Sequence, residues 1–225
     1  MEEESKAIQE VAKTTGKALE VTEKVGGFLC KVLGDSFQEM GGAFYDWTKF
    51  FRYKNLLKIH DKVEAIQKER QSKGKTTPIP PRYAIPLIQS ATQEDDESIQ
   101  DLWAGLIANA IDPEKRLNVQ KIYIDILSAL EPIDTKVLKF LYSQGSIFPS
   151  RKNVRKIDLY QLSKEIQVPL SEIEISTQNL FRLGCIREET SEVEEIPGID
   201  TQPTYSNLYP LLTPLAYSLL GACRT

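Results

Sequence analysis

The chain is poor in the side chains that most enzyme chemistry needs. It holds one histidine, His60, so any Ser-His-Asp triad or histidine metal cluster would have to use that residue. His60 stands beside Asp61 on a lysine-rich stretch, where a solvated helix face is the expected setting. Arg52 and His60 also stand farther apart than the Arg-x-His pair of HEPN ribonucleases, and no asparagine follows the arginine. The three cysteines, Cys30, Cys185 and Cys223, are far apart with no CxxC pair, which argues against a zinc site or a thioredoxin-like redox motif. Buried, reduced thiols are expected. No uncharged apolar run reaches the roughly 18 residues of a membrane-spanning helix. The start, Met1-Glu2-Glu3-Glu4, lacks the basic and apolar regions of a secretory leader, so none is expected. The net charge of -4 lacks the basic excess usual in nucleic-acid binders. No phosphate-binding glycine loop, GxSxG or HExxH appears.

What is present is an ordinary soluble composition, 41% hydrophobic and 27% charged over 225 residues, enough for one large or two small domains. Residues 1–42 read as a helical segment with unusual glycine content: Gly26, Gly27, Gly34, Gly41 and Gly42. Each glycine inside a helix costs about 1 kcal/mol against alanine. Close helix packing, or a helix only marginally stable alone, would explain the pattern. Residues 43–77 form a basic-aromatic helix followed by a polar linker. Phe44, Tyr45, Trp47, Phe50, Phe51 and Tyr53 crowd together there, interleaved with Lys49, Arg52, Lys54 and Lys58. Pro78, Pro80, Pro81 and Pro86 then predict an extended connection.

Residues 78–130 form a central helical body. Thr92 is the expected N-cap of its main helix, with Glu94, Asp95, Asp96 and Glu97 favoured by the dipole. Consecutive helical acids point in different directions and cannot converge on one metal ion. Ile99, Leu102, Trp103, Leu106, Ile107 and Ala110 follow the spacing of one buried face. That helix should end near Asp112-Pro113, and another should cover roughly 117–130. Residues 131–225 change character. Asp134 caps a helix stopped by Gly145. Asp158 opens a short helix. Pro169-Leu170-Ser171 opens a third, with Ile173, Ile175, Leu180 and Phe181 as its apolar positions and Gly184 as its end. Two strands, around Cys185–Arg187 and Tyr205–Leu211, precede a closing helix at Thr213-Pro214. The expected fold is therefore mainly α: a helical N-terminal and central bundle with a C-terminal winged-helix-like domain.

Two segments carry a family resemblance. Pro86-Leu87-Ile88, Thr92, the acidic cluster and Leu102-Trp103-Ala104-Gly105-Leu106-Ile107-Ala108-Asn109-Ala110 resemble the signature segment of the Abi-alpha family, bacterial proteins of abortive infection. Arg52-Tyr53-Lys54-Asn55-Leu56-Leu57 resembles the basic "R-x-K/R-N-L-L" helix of that family. The resemblance runs from about Lys17 to the end. Its motifs are structural, so it implies a role in phage defence and no catalytic residues.

These observations together predict a non-enzymatic protein with no catalytic residue, cofactor, metal or small-molecule substrate. The first candidate contact surface is the basic-aromatic stretch: Phe44, Trp47, Phe50, Phe51, Arg52, Lys54 and Lys58. Core packing would explain it, as would an inner-membrane surface, where rings sit at headgroup level beside cations. Nucleic-acid stacking is a weaker fit. The second candidate is the basic loop with Arg151, Lys152, Arg155 and Lys156. The helix expected to enter a DNA groove carries Glu172 and Glu174 against Arg182, and phosphate contact needs basic residues. A winged helix that contacts protein, by self-association or a partner, fits better than a DNA reader. The expected location is the cytoplasm, peripheral at the inner membrane if the aromatic stretch works there. Release of the N-terminal helices onto that membrane is one expected mechanism, and a winged helix docking a partner protein is the other.

Overall fold

The computed structural model describes residues 23–34, 53–70, 76–115, 119–147, 157–190 and 208–224. Among these the protein is mainly helical, with one two-stranded sheet. The described residues up to Asp95, with Ala104–Gln120, form one unit; Asp96–Trp103 and those from Lys121 onward form another.

In the first unit, α1 (residues 23–33) lies against α2 (Tyr53–Glu69). Phe28 and His60 meet edge to face at 5.3 Å, and Lys31 pairs with Glu64 at 3.3 Å. Gly34 ends α1 at φ 61°, a left-handed position that favours glycine. A Cβ there would also sit 2.8 Å from the Cβ of Pro78. At Gly26 and Gly27 an added Cβ would meet nothing within 4 Å among the described residues, so no close helix contact among them accounts for these glycines. Gly41 and Gly42 lie outside the described residues.

The proline-rich stretch departs from the extended connection expected of it. Thr77 to Pro80 are extended, but α3 runs Pro81–Gln93 with Pro81 in its first turn and Pro86 inside it. A first-turn proline loses no helical hydrogen bond, because that N–H has no intrahelical partner. Thr92 is not an N-cap. It sits in the last turn of α3, and its hydroxyl donates to the carbonyls of Ile88 at 2.9 Å and Gln89 at 3.0 Å.

The cap of α4 (Glu97–Ile111) is Asp96. Its Oδ1 accepts from the Ser98 backbone N–H at 2.8 Å, from the Ile99 N–H at 3.2 Å and from the Ser98 hydroxyl. The Ser98 hydroxyl bond holds the Asp96 carboxyl below its ordinary value of 3.8, helped by the two N–H bonds and Lys139 and opposed by burial. A lowered acid pKa means the folded state prefers the charged form. The stabilisation is present above the ordinary value and lost as pH falls through the folded one. Acid unfolding of wild type should therefore steepen below about pH 4, and Asp96→Asn, which keeps a capping oxygen, should flatten that part of the stability-pH curve. Equal slopes in the two proteins would refute this. Along α4, every residue from Leu102 to Asn109 is buried, so the helix is enclosed rather than one-sided.

The second unit continues with α5 (Lys121–Leu127) and α6 (Pro132–Ser143). Asp134 acts at the third position of α6 in a capping box with Glu131. Gly145 follows at φ 65°. Next come α7 (Leu159–Ile166) and α8 (Leu170–Arg182). Asp158 caps α7 by accepting from the Gln161 N–H at 2.7 Å. Gln167 ends it at φ 56° and Pro169 precedes α8. β1 (Ile186–Thr190) pairs antiparallel with β2 (Leu208–Leu212), Ile186 opposite Leu212 and Thr190 opposite Leu208. Leu212 also makes a parallel bridge to Ile147. Thr213 caps α9 (Pro214–Cys223), accepting from the Ala216 N–H at 3.2 Å.

Candidate functional site

Helix α8 presents two different faces. Ile173, Ser176, Thr177 and Leu180 are buried, four positions on one side of a helix. The opposite side carries Ser171, Glu172, Ile175, Gln178 and Arg182, all exposed. Ile175 is 69% exposed and Phe181 57% exposed. The apolar character of both predicts burial, but the 3.6-residue period turns Ile175 away from Ile173 and Leu180. Leu170 is 37% exposed at the start of the same helix. On α7, Tyr160 is 54% exposed, with Lys164 Nζ 4.2 Å above its ring.

The exposed face is set by a buried polar lock behind it. Asp134 is fully buried. Its Oδ1 accepts from the Ser176 hydroxyl at 2.6 Å, and its Oδ2 accepts from Asn179 Nδ2 at 2.6 Å and from the Glu131 N–H at 2.9 Å. Asn179 also donates to the Ala129 carbonyl at 3.2 Å. One carboxylate therefore ties the start of α6 to two successive turns of α8. Asn179 Oδ1 in turn accepts from Arg182 at 2.6 Å, which connects the lock to the surface. The sequence shows Asp134 as a capping residue; nothing in its spacing shows Ser176 and Asn179 as its partners.

The cysteines of this unit are inert thiols. Burial, with the Asp134 charge adding to it, pushes Cys185 up to about 12. Burial raises Cys223 as well, opposed by Lys139. Both stay protonated near neutral pH, and the thiolate is the reactive form. Cys30 is exposed rather than buried, and none of the three is in a disulfide.

In the first unit the two segments that carry the family resemblance meet. Asn55 is buried, and its Nδ2 donates to the Thr92 carbonyl at 3.1 Å and to Asp95 Oδ1 at 2.9 Å. The Asn of the basic motif thus fixes the start of α2 to the end of α3. His60 is 5% exposed, not solvated. Its Nδ1 is 3.0 Å from Asp61 Oδ1 and its Nε2 is 3.4 Å from Glu64 Oε1, both on α2, while Phe28 of α1 meets the ring edge to face. A cleft of about 690 Å³ is lined by the Pro78–Pro80 run, Arg82, Tyr83, Asp112 and Gln120. The Arg82 guanidinium stacks 4.4 Å over the Tyr83 ring.

Of the residues expected to make contacts, Lys54 is exposed and Lys58 half-buried, both on α2. Phe44, Trp47, Phe50, Phe51 and Arg52 lie outside the described residues, as do Arg151, Lys152, Arg155 and Lys156. Among the described residues no group of three or more His, Cys, Asp and Glu could hold a metal ion, and no helix is long and apolar enough to cross a membrane.

No curated protein and no solved structure matches the chain. A protein family does. Residues 52–213 match the family described as abortive infection alpha, a span that includes both meeting motifs, the Asp134 lock and α8. On that match, covering most of its length, the chain belongs to the abortive infection alpha family.

Proposed function

We propose that this chain is a non-enzymatic abortive-infection protein of phage defence that acts by docking a protein through the exposed face of α8. The order α6, α7, α8, β1, β2, α9, with the Ile147–Leu212 bridge, supports a winged-helix reading of the second unit. In that reading α8 is the helix that would meet a groove. The observation that carries the proposal is the surface of that helix: Ile175 and Phe181 stand exposed, with Glu172 and Glu174 beside them and Arg182 as the basic residue. Acidic side chains repel phosphate, whereas exposed apolar side chains in a mixed-charge setting suit a protein surface. Aspartate at both positions, Ile175→Asp with Phe181→Asp, should abolish phage protection at unchanged expression and unchanged thermal midpoint. Full protection by the folded double variant would refute the docking reading.

A second reading rests on Lys54, exposed in the first turn of α2 directly after the aromatic run. A stretch holding Trp47, Phe50, Phe51, Arg52, Lys54 and Lys58 has the composition of an interfacial segment, rings for the headgroup level and cations for anionic lipid. Purified protein should then release dye from vesicles rich in anionic lipid. Replacing Trp47, Phe50 and Phe51 with serine should stop the release. Protein that neither binds nor leaks such vesicles, with or without lysate of infected cells, ends this reading.

A further inference from the structure

The cleft in the first unit has a rigid wall and one unanswered charge. Thr77 donates its N–H to the Ile111 carbonyl and Ile79 donates to the Val32 carbonyl, both at 2.8 Å. Pro78 and Pro80 alternate with them and have fixed φ, so the extended stretch Thr77–Pro80 is held in place. Ile79 and Val119 are the buried apolar lining, and Pro78, Pro80 and Pro113 add exposed rings. At about 690 Å³ the cleft falls within the roughly 300–1,000 Å³ of small-molecule sites, which are commonly preformed and mostly apolar with a few polar groups.

Two charged side chains line it, Arg82 and Asp112. Asp112 is engaged: Oδ1 accepts from the Glu114 N–H at 2.9 Å, and Oδ2 stands 3.9 Å from the Arg70 guanidinium. Arg82 has no such answer. Its guanidinium lies 4.4 Å over the Tyr83 ring and donates to the Tyr83 hydroxyl, and among the described residues no carboxylate pairs with it. The ring fixes the plane of the fork, while its other N–H groups remain to meet an acceptor. A fixed fork of this kind matches the paired oxygens of a phosphate or carboxylate.

We infer that this cleft binds a nucleoside monophosphate. The phosphate meets Arg82, the flat base packs against the proline rings, and the Gln120 amide, which both donates and accepts, reads the base edge. An extended peptide fits the same wall poorly. Peptide strands bind by main-chain hydrogen bonds, but Pro78 and Pro80 have no N–H and those of Thr77 and Ile79 are already spent. Recognition must therefore come from side chains and flat apolar surface, which suits a ring more than a backbone. The inference is independent of the docking reading, since the cleft lies in the first unit and α8 in the second.

The test is calorimetric titration of the full chain with the 5′-monophosphates of adenosine, guanosine, cytidine and uridine, with the four nucleosides, and with inorganic phosphate. At least one nucleotide should bind saturably at one per chain, more tightly than its nucleoside and than phosphate alone. Arg82→Gln should weaken that nucleotide by about tenfold or more, the size expected for losing a charge-assisted contact, and leave the nucleoside unchanged. Arg82→Lys, which keeps charge without the fork, should fall between. Gln120→Leu should change the ranking among the four bases. Thermal midpoints confirm that each variant is folded. The α8 variant Ile175→Asp, Phe181→Asp should bind as wild type does. No saturable binding by any of the four nucleotides overturns the inference. So does inorganic phosphate that binds as tightly as the best nucleotide, or an Arg82→Gln variant that binds nucleotide as wild type does.

Discussion

Trp103→Ala is expected to cost about 3–5 kcal/mol of stability. Trp103 is the largest fully buried side chain among the described residues and sits in the enclosed part of α4. Truncation removes the transfer energy of a large aromatic and leaves a void that a close-packed helix can only partly fill. Its ring nitrogen makes no hydrogen bond among the described residues, so the side chain contributes through volume and not through a polar contact. Trp103→Phe should for that reason retain most of the stability that alanine loses. Urea unfolding followed by circular dichroism checks both. An alanine variant within about 1 kcal/mol of wild type, or a phenylalanine variant no better than alanine, would contradict the packing account.

Asp134→Ala is expected to cost about 3 kcal/mol or more, because it strips an acceptor from the Ser176 hydroxyl, from Asn179 and from the Glu131 N–H at once. Asn179 keeps the Ala129 carbonyl. The Ser176 hydroxyl is buried and loses its acceptor, and a buried polar group without a partner costs about 1–3 kcal/mol. Asp134→Asn keeps the shape and one acceptor oxygen, so it should fall between wild type and alanine. The lock also predicts coupling. Once Asp134 is alanine, Ser176→Ala should cost little, since the bond it would break is already gone. Strictly additive losses in that double-variant cycle would show that the two residues act separately.

The ends of the elements were legible from sequence because caps are local chemistry. Asp158, Thr213-Pro214, Gly145 and Gly184 each need only their own few residues to do their work, and each stands where the sequence puts it. The two strands and the end of α4 near Asp112 follow the same logic. Where a residue's role depends on a distant partner, the local signal misled. Thr92 looks like an N-cap, but the helix before it continues to Gln93 and the cap passes to Asp96. His60 sits among charged neighbours, yet Phe28 from another helix covers its ring. Pro86 looks like a helix breaker and lies within α3. Ile175 and Phe181 look like core by composition and are exposed, because Ile173, Ser176, Thr177 and Leu180 already fill the buried side of α8. That last departure makes the candidate site visible: apolar character could be read from the sequence, exposure could not.

The most direct measurement of the central claim is plating efficiency of phage on cells carrying wild-type protein or the folded Ile175→Asp, Phe181→Asp variant at equal expression. Plaques should return to the level of cells without the protein when the α8 face is changed. Continued protection by that variant would contradict the claim that the protein acts through this face.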